Sequence, residues 1–129
     1  MTENGGIVTR DWLRTLPVFP AELPEFDHEI APATPVELFL SWLEQAVAAE
    51  VPAAHAMVLS TSDADGTPAA RVLILKDADA DGWQFATDSA SPKGLAIAHH
   101  PLAALNFFWP GLGRQVRIVG SVLRFPQSA

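Results

Sequence analysis

The sequence predicts a mainly β domain of the α+β class: a small barrel of short strands with one N-terminal helix and a short helix between strands. Three observations lead there. At 129 residues the chain has the size of one domain, and 49% of it is apolar, enough for a single core. Residues 34–50 carry a helical apolar period behind a strong start signal. From Ala56 onward, apolar runs of strand length alternate with Asp-Gly and Pro-Gly turn signals.

Taken in order, residues 1–33 are acidic and punctuated by Pro17, Pro20, Pro24 and Pro32 without a sustained period. They read as an extended, partly disordered arm that Trp12, Leu13, Phe19 and Phe26 could anchor to a surface. The domain proper spans 34–129. Thr34 caps a helix with Pro35 at its first position and Glu37 closing a capping box. Leu38, Phe39, Trp42, Leu43, Ala46 and Val47 then follow its period to about Glu50, before Pro52, with Trp42 read as core packing. Strands are expected at 56–62, 70–76, 83–87, 103–109 and 114–125. Asp63–Gly66 and Asp77–Gly82 make the first two turns. Ser91-Pro92-Lys93-Gly94 opens a short helix to about His99.

Composition narrows the function classes. The net charge of −7 argues against general nucleic-acid binding. No stretch approaches the ~18 apolar residues of a membrane span, and the N-terminus lacks the features of a secretory signal. With no cysteine, disulfides and thiolate metal sites are excluded, which fits a cytoplasmic setting. The charge is uneven. Residues 1–50 hold nine acidic and two basic side chains, whereas no acid follows Asp88 and Lys93, Arg114, Arg117 and Arg124 remain. Such a stretch either reserves positive potential for an anion or is an accident of composition.

Three segments offer anion-binding chemistry. In Arg71-Val-Leu-Ile-Leu-Lys76 a buried strand has cationic ends. Five residues apart, Arg71 and Lys76 point to opposite faces and sit roughly 16 Å apart in an extended chain. Either they serve two separate anions or they are solvated strand ends. Ser91-Pro92-Lys93-Gly94 sets a lysine at a helix start, where free N–H groups favour phosphate, although an ordinary capped helix is the commoner use of that pattern. In Arg114-Gln-Val-Arg117, alternation puts Gln115 and Arg117 on one face and Arg114 with Val116 on the other. Gln115 both donates and accepts, which suits the edge of a heterocycle, but a water-facing strand accounts for it equally. Asp77, Asp79 and Asp81, with Asp88 in twelfth place, imitate a calcium loop. The strand-like flanks and the Asp in place of Glu favour an acidic hairpin turn instead. Neither the His99-His100 pair nor any other cluster supplies a metal site, and no nucleophilic triad has a local signature.

Taken together, the pieces form an ordered series. It runs from Pro35-Val-Glu-Leu-Phe-Leu-Ser-Trp-Leu through Ala56-Met-Val-Leu-Ser-Thr, Asp65-Gly-Thr-Pro68, Arg71-Val-Leu-Ile-Leu-Lys76 and Phe85-Ala-Thr87. It continues with Ser89-Ala-Ser-Pro-Lys93 and Pro101-Leu-Ala-Ala-Leu-Asn-Phe, and ends in Trp109-Pro-Gly-Leu-Gly-Arg-Gln115-Val and Gly120. Over about residues 32–124 the series resembles the pyridoxamine 5′-phosphate oxidase family.

The resemblance implies a split β-barrel that binds FMN at a homodimer interface. It assigns Arg71, Val72, Leu73 and Ile74 of one strand, together with Thr87, Lys93 and Gln115, to the cofactor, and Lys76 to the phosphate of a small-molecule substrate. The implied reaction oxidises pyridoxamine or pyridoxine 5′-phosphate to pyridoxal 5′-phosphate, with dioxygen as acceptor and no protein general base required. Two alternatives accompany it: a flavin-binding module without oxidase activity, and a related FMN oxidoreductase acting on another substrate. Ala86 stands where many relatives carry an aromatic residue, and Pro92 where many carry arginine. Family oxidases continue into a further C-terminal segment, whereas this chain ends at Phe125-Pro-Gln-Ser-Ala129, as expected of a shortened product or a minimal relative.

Overall fold

A computed structural model describes residues 9–87, 94, 97–98 and 100–124. Its centre is a five-stranded antiparallel sheet, β1 (Ala56–Ser62), β2 (Pro68–Asp79), β3 (Gly82–Phe85), β4 (Leu102–Trp109) and β5 (Arg114–Ser121), in the order β3-β2-β1-β4-β5. The sheet curls into a half-barrel. Helix α2 (Pro35–Ala48) starts as expected, with the Glu37 N–H donating to Thr34 Oγ1 at 3.3 Å and Pro35 in the first turn.

β2 is longer than its apolar run because it serves two neighbours in succession. Residues 68–74 pair with β1, and 75–79 pair with β3. Between the two pairings the register shifts at Leu75/Asp77, leaving Lys76 as the extra residue of a β-bulge. β3 ends at Phe85, opposite Leu75, rather than running to Thr87. β5 stops at Ser121 instead of continuing to Phe125. Its ladder partner begins only at Leu102, after Pro101, whose carbonyl accepts the last bond from Val122 N–H at 2.9 Å.

One correction concerns the arm. Residues Thr9–Thr15 form a short helix, α1, rather than extended chain. Asp11 in its first turn and Arg14 in its last suit the helix dipole, and Pro17 prevents its extension. The remainder of the arm is irregular and exposed, yet it is seated. Phe26 meets Trp42 edge-on at 5.6 Å, and Leu23 lies against Gly113. Of the short helix expected from Ser91, positions 91–93, 95, 96 and 99 fall outside the described residues, while Ile97 packs on the core.

Alternation gives the sheet two faces. One carries Met57, Leu59, Leu75, Leu105, Phe107 and Trp109, all buried, and α2 covers it. Phe39 of α2 sits among aromatic rings, 4.8 Å from Phe107, 5.6 Å from Trp83 and 6.1 Å from Trp109. The Trp109 indole N–H is satisfied at this depth by Ala54 O, 2.9 Å away.

Candidate functional site

The ladder registers place Arg71 at the end of a row across the sheet. Arg71 lies opposite Leu59, which lies opposite Leu105, which lies opposite Ile118. Arg71 therefore ends a row of core-facing residues, although it is itself half-buried. β3 pairs only with residues 75–79, so among the described residues no strand pairs with the β2 edge beside Arg71. Among the described residues the Arg71 guanidinium has no hydrogen-bond or ion-pair partner. A half-buried cation beside unpaired backbone donors can hold an anion such as a phosphate.

Thr87 is exposed two residues beyond the end of β3. The antiparallel direction of that strand carries the chain back toward Leu73 and Arg71. These residues flank one edge, with Leu73 packed against the core and Val72 and Ile74 on the opposite face. Lys93 lies outside the described residues.

Gln115 belongs elsewhere. It pairs with Phe108 on β5, on the uncovered face of the sheet, with Arg117 beside it and Arg114 turned inward as alternation requires. Three inter-strand steps separate β2 from β5, about 14 Å at ordinary strand spacing. Arg71 and Gln115 thus face opposite sides of one hydrogen-bonded sheet.

Lys76 is separate again. Exposed at the bulge, it lines a groove of about 210 Å³ between α2 and β2, with Leu40, Leu43, His55 and Asp77 among the other walls. Arg71 and Lys76 do not converge. The acidic turn that follows is closed by its own carboxylates: Asp79 Oδ1 accepts from Asp81 N–H at 2.8 Å, within the hairpin joining β2 and β3.

Two features of the site do not emerge from sequence reasoning. The uncovered face is apolar: Val72 is 66% exposed, Leu102 52%, Phe108 50% and Val119 68%, with Ile74 alongside. These side chains share the face of the sheet opposite the one that α2 covers. Within the same face, Asn106 Oδ1 is buried without a partner, in a row between Val58 and Arg117. His55 is the second feature. Its place beside Lys76 depends on the bulge, which no local motif announces. No described helix is long and apolar enough to cross a membrane.

Comparison with known proteins fits this geometry. Residues 43–129 match the family model described as pyridoxamine 5′-phosphate oxidase. The pyridoxine/pyridoxamine 5′-phosphate oxidase of Pseudomonas syringae pv. tomato is 51% identical over 94 residues, covering 71% of this chain and 44% of that protein. The Bordetella petrii enzyme of the same name is 49% identical over 92 residues, with the same coverage of 71% and 44%. The chain therefore spans less than half the length of these curated relatives.

Among solved structures, PhzG from Burkholderia lata 383, in complex with tetrahydrophenazine-1-carboxylic acid, superposes with a TM-score of 0.72 at 29% identity. The match covers 77% of this chain and 50% of that one. A pyridoxamine 5′-phosphate oxidase-related, FMN-binding protein from Nostoc punctiforme PCC 73102 gives 0.59 at 26% identity, covering 68% and 47%. The curled sheet with its helices is the split-barrel fold of these neighbours.

Proposed function

The chain belongs to the pyridoxamine 5′-phosphate oxidase family, and from that premise we propose that it binds FMN between two copies of itself and oxidises pyridoxamine or pyridoxine 5′-phosphate to pyridoxal 5′-phosphate. The carrying observation is the half-buried Arg71, which among the described residues has no side-chain partner and no strand on its edge of β2, with Thr87 returning toward it. That edge fits the phosphate end of FMN. Arg71 neutralises it, and backbone groups of residues 71–74 along the edge meet the rest of the molecule. Lys93 completes the cation set in this reading.

Gln115 enters from the second copy. Because it faces away from Arg71 in its own chain, it reaches the same flavin only across an interface, and the apolar face around it is the surface that such an interface would cover. Lys76 holds the substrate phosphate in its own groove, apart from the cofactor phosphate. Acceptance of a hydride equivalent from the substrate C4′ carbon, and its return to dioxygen as hydrogen peroxide, is the chemistry that FMN supplies when bound. The chain's own residues bind, neutralise and orient.

The test is direct. Purified protein should take up FMN and turn yellow, and Arg71→Ala should abolish uptake while leaving the fold intact. Pyridoxamine 5′-phosphate should then be turned over with release of peroxide. A colourless protein that gains no flavin signal would refute the cofactor assignment. Flavin binding without turnover would favour the cofactor-module reading. A third reading, a flavin oxidoreductase acting on another ring, draws on the PhzG neighbour and its bound tetrahydrophenazine carboxylate. Turnover of such a ring but not of B6 phosphates would select it.

A further inference from the structure

The groove beside Lys76 holds a second nitrogen group. Three elements build it: Leu40 and Leu43 from α2, His55 from the chain entering β1, and Leu75 to Ala78 from the bulged part of β2. The arrangement is tied together by the backbone, since Leu75 N–H donates to His55 O at 2.9 Å. That bond holds the His55 backbone against the residue preceding Lys76. Among the described residues, the side chains of His55 and Lys76 have no hydrogen bond or ion pair of their own.

Size and charge then select an occupant. At about 210 Å³ the groove is smaller than the roughly 300–1,000 Å³ typical of pockets for drug-sized ligands, a size that suits a single ring. Leu40, Leu43 and Leu75 give apolar walls for the flat face of a ring. His55 and Lys76 give nitrogen donors for an anion. Asp77, the acidic member of the lining, already accepts from Ala78 N–H at 2.8 Å. Its carboxylate favours a ligand that carries a donor as well as an anion.

Resting on the oxidase reading above, we propose that His55 is a substrate-binding residue that grips the phosphate together with Lys76. The ligand class is a single-ring phosphate monoester, its phosphate held apart from the cofactor phosphate. His55 acts by binding and sets specificity for the anion; it carries out no chemistry.

The experiment uses the full chain and phenyl phosphate, a one-ring monoester, with inorganic phosphate and phenol as the two half-ligands. Binding is followed through the imidazole resonances of His55. Phenyl phosphate should shift those resonances and bind more tightly than either half. His55→Ala should weaken it about tenfold, the scale of one charge-assisted hydrogen bond. His55→Gln, which keeps a donor, should weaken it less, and FMN uptake should be the same in all three proteins. Unmoved His55 resonances, or equal affinity in His55→Ala, would overturn the proposal. Binding of phenyl phosphate by a protein that takes up no FMN would sink the flavin reading and leave this one standing.

Discussion

The guanidinium carbon of Arg114 lies 4.4 Å from the centre of the Trp42 ring, and the same group donates to Gln45 Oε1 at 2.7 Å. Arg114 opens β5 and is only 8% exposed; Trp42 and Gln45 belong to α2. A cation–π contact and one hydrogen bond therefore fasten the helix to the far side of the sheet, and burial pushes the Arg114 pKa below its ordinary value. Arg114→Ala should cost about 2–3 kcal/mol in urea unfolding, combining the lost stacking with an orphaned Gln45. Arg114→Lys should recover only part of this, because an ammonium cannot stack and donate in the same plane. Equal stability of all three proteins would show that the contact contributes nothing.

Gly113 controls how the arm is seated. Its φ of +61° is left-handed, and a β-carbon there would stand 2.7 Å from Leu23 Cδ1 and 2.9 Å from Cδ2. Gly113→Ala should lose about 1 kcal/mol from the backbone conformation alone. The clash is relieved by moving the tip of Leu23, so the arm should lift. Limited proteolysis between Pro17 and Pro32 should accelerate in Gly113→Ala. Leu23→Ala combined with Gly113→Ala should add no further acceleration. Unchanged cleavage in the single variant would show that Leu23 is not what holds the arm.

What the sequence makes legible is what local signals decide. The helix start at Thr34–Glu37 and the run Ala56–Ser62 both stand where capping chemistry and apolar alternation put them. The order of the strands and the placing of Arg114 and Gln115 on opposite faces are legible for the same reason. The end of β5 is not, because the start of β4 sets it, and neither is the bulge at Lys76, which arises where β2 changes partners. For the candidate site, alternation shows that Arg71 and Lys76 diverge but not what stands beside each. It assigns two faces to the sheet without saying which one α2 covers, so the exposure of Val72 and Val119 appears only in three dimensions.

Asp65 sets the acid limit of the turn between β1 and β2. The Asp63 side chain first, then the Thr67 hydroxyl and backbone N–H, lower its pKa from 3.8 to about 2; the Thr67 hydroxyl donates at 2.6 Å. A depressed carboxylate contributes stability that is fully present above the unfolded value and is lost as pH falls through the folded one. The hairpin should therefore loosen between about pH 4 and pH 2, read as broadening of the Thr67 amide resonance. Thr67→Val should move the Asp65 midpoint upward. A midpoint of 3.8 in the parent protein would remove the argument.

The uncovered sheet face separates folding from association. Val72, Phe108 and Val119 point away from α2 and the core, and each is at least half exposed in the single chain. Val119→Lys should therefore change unfolding free energy by no more than about 0.5 kcal/mol, as for ordinary surface positions. If the face is where two copies meet, that lysine is buried without a partner in the dimer and should weaken association strongly. Flavin uptake should fall with it, because Gln115 of the second copy would be withdrawn from the cofactor. Sedimentation at several protein concentrations, with and without FMN, measures both effects. A Val119→Lys protein that stays dimeric and yellow would place the interface elsewhere. One that stays yellow as a monomer would show that Arg71 and its own edge hold the flavin without Gln115.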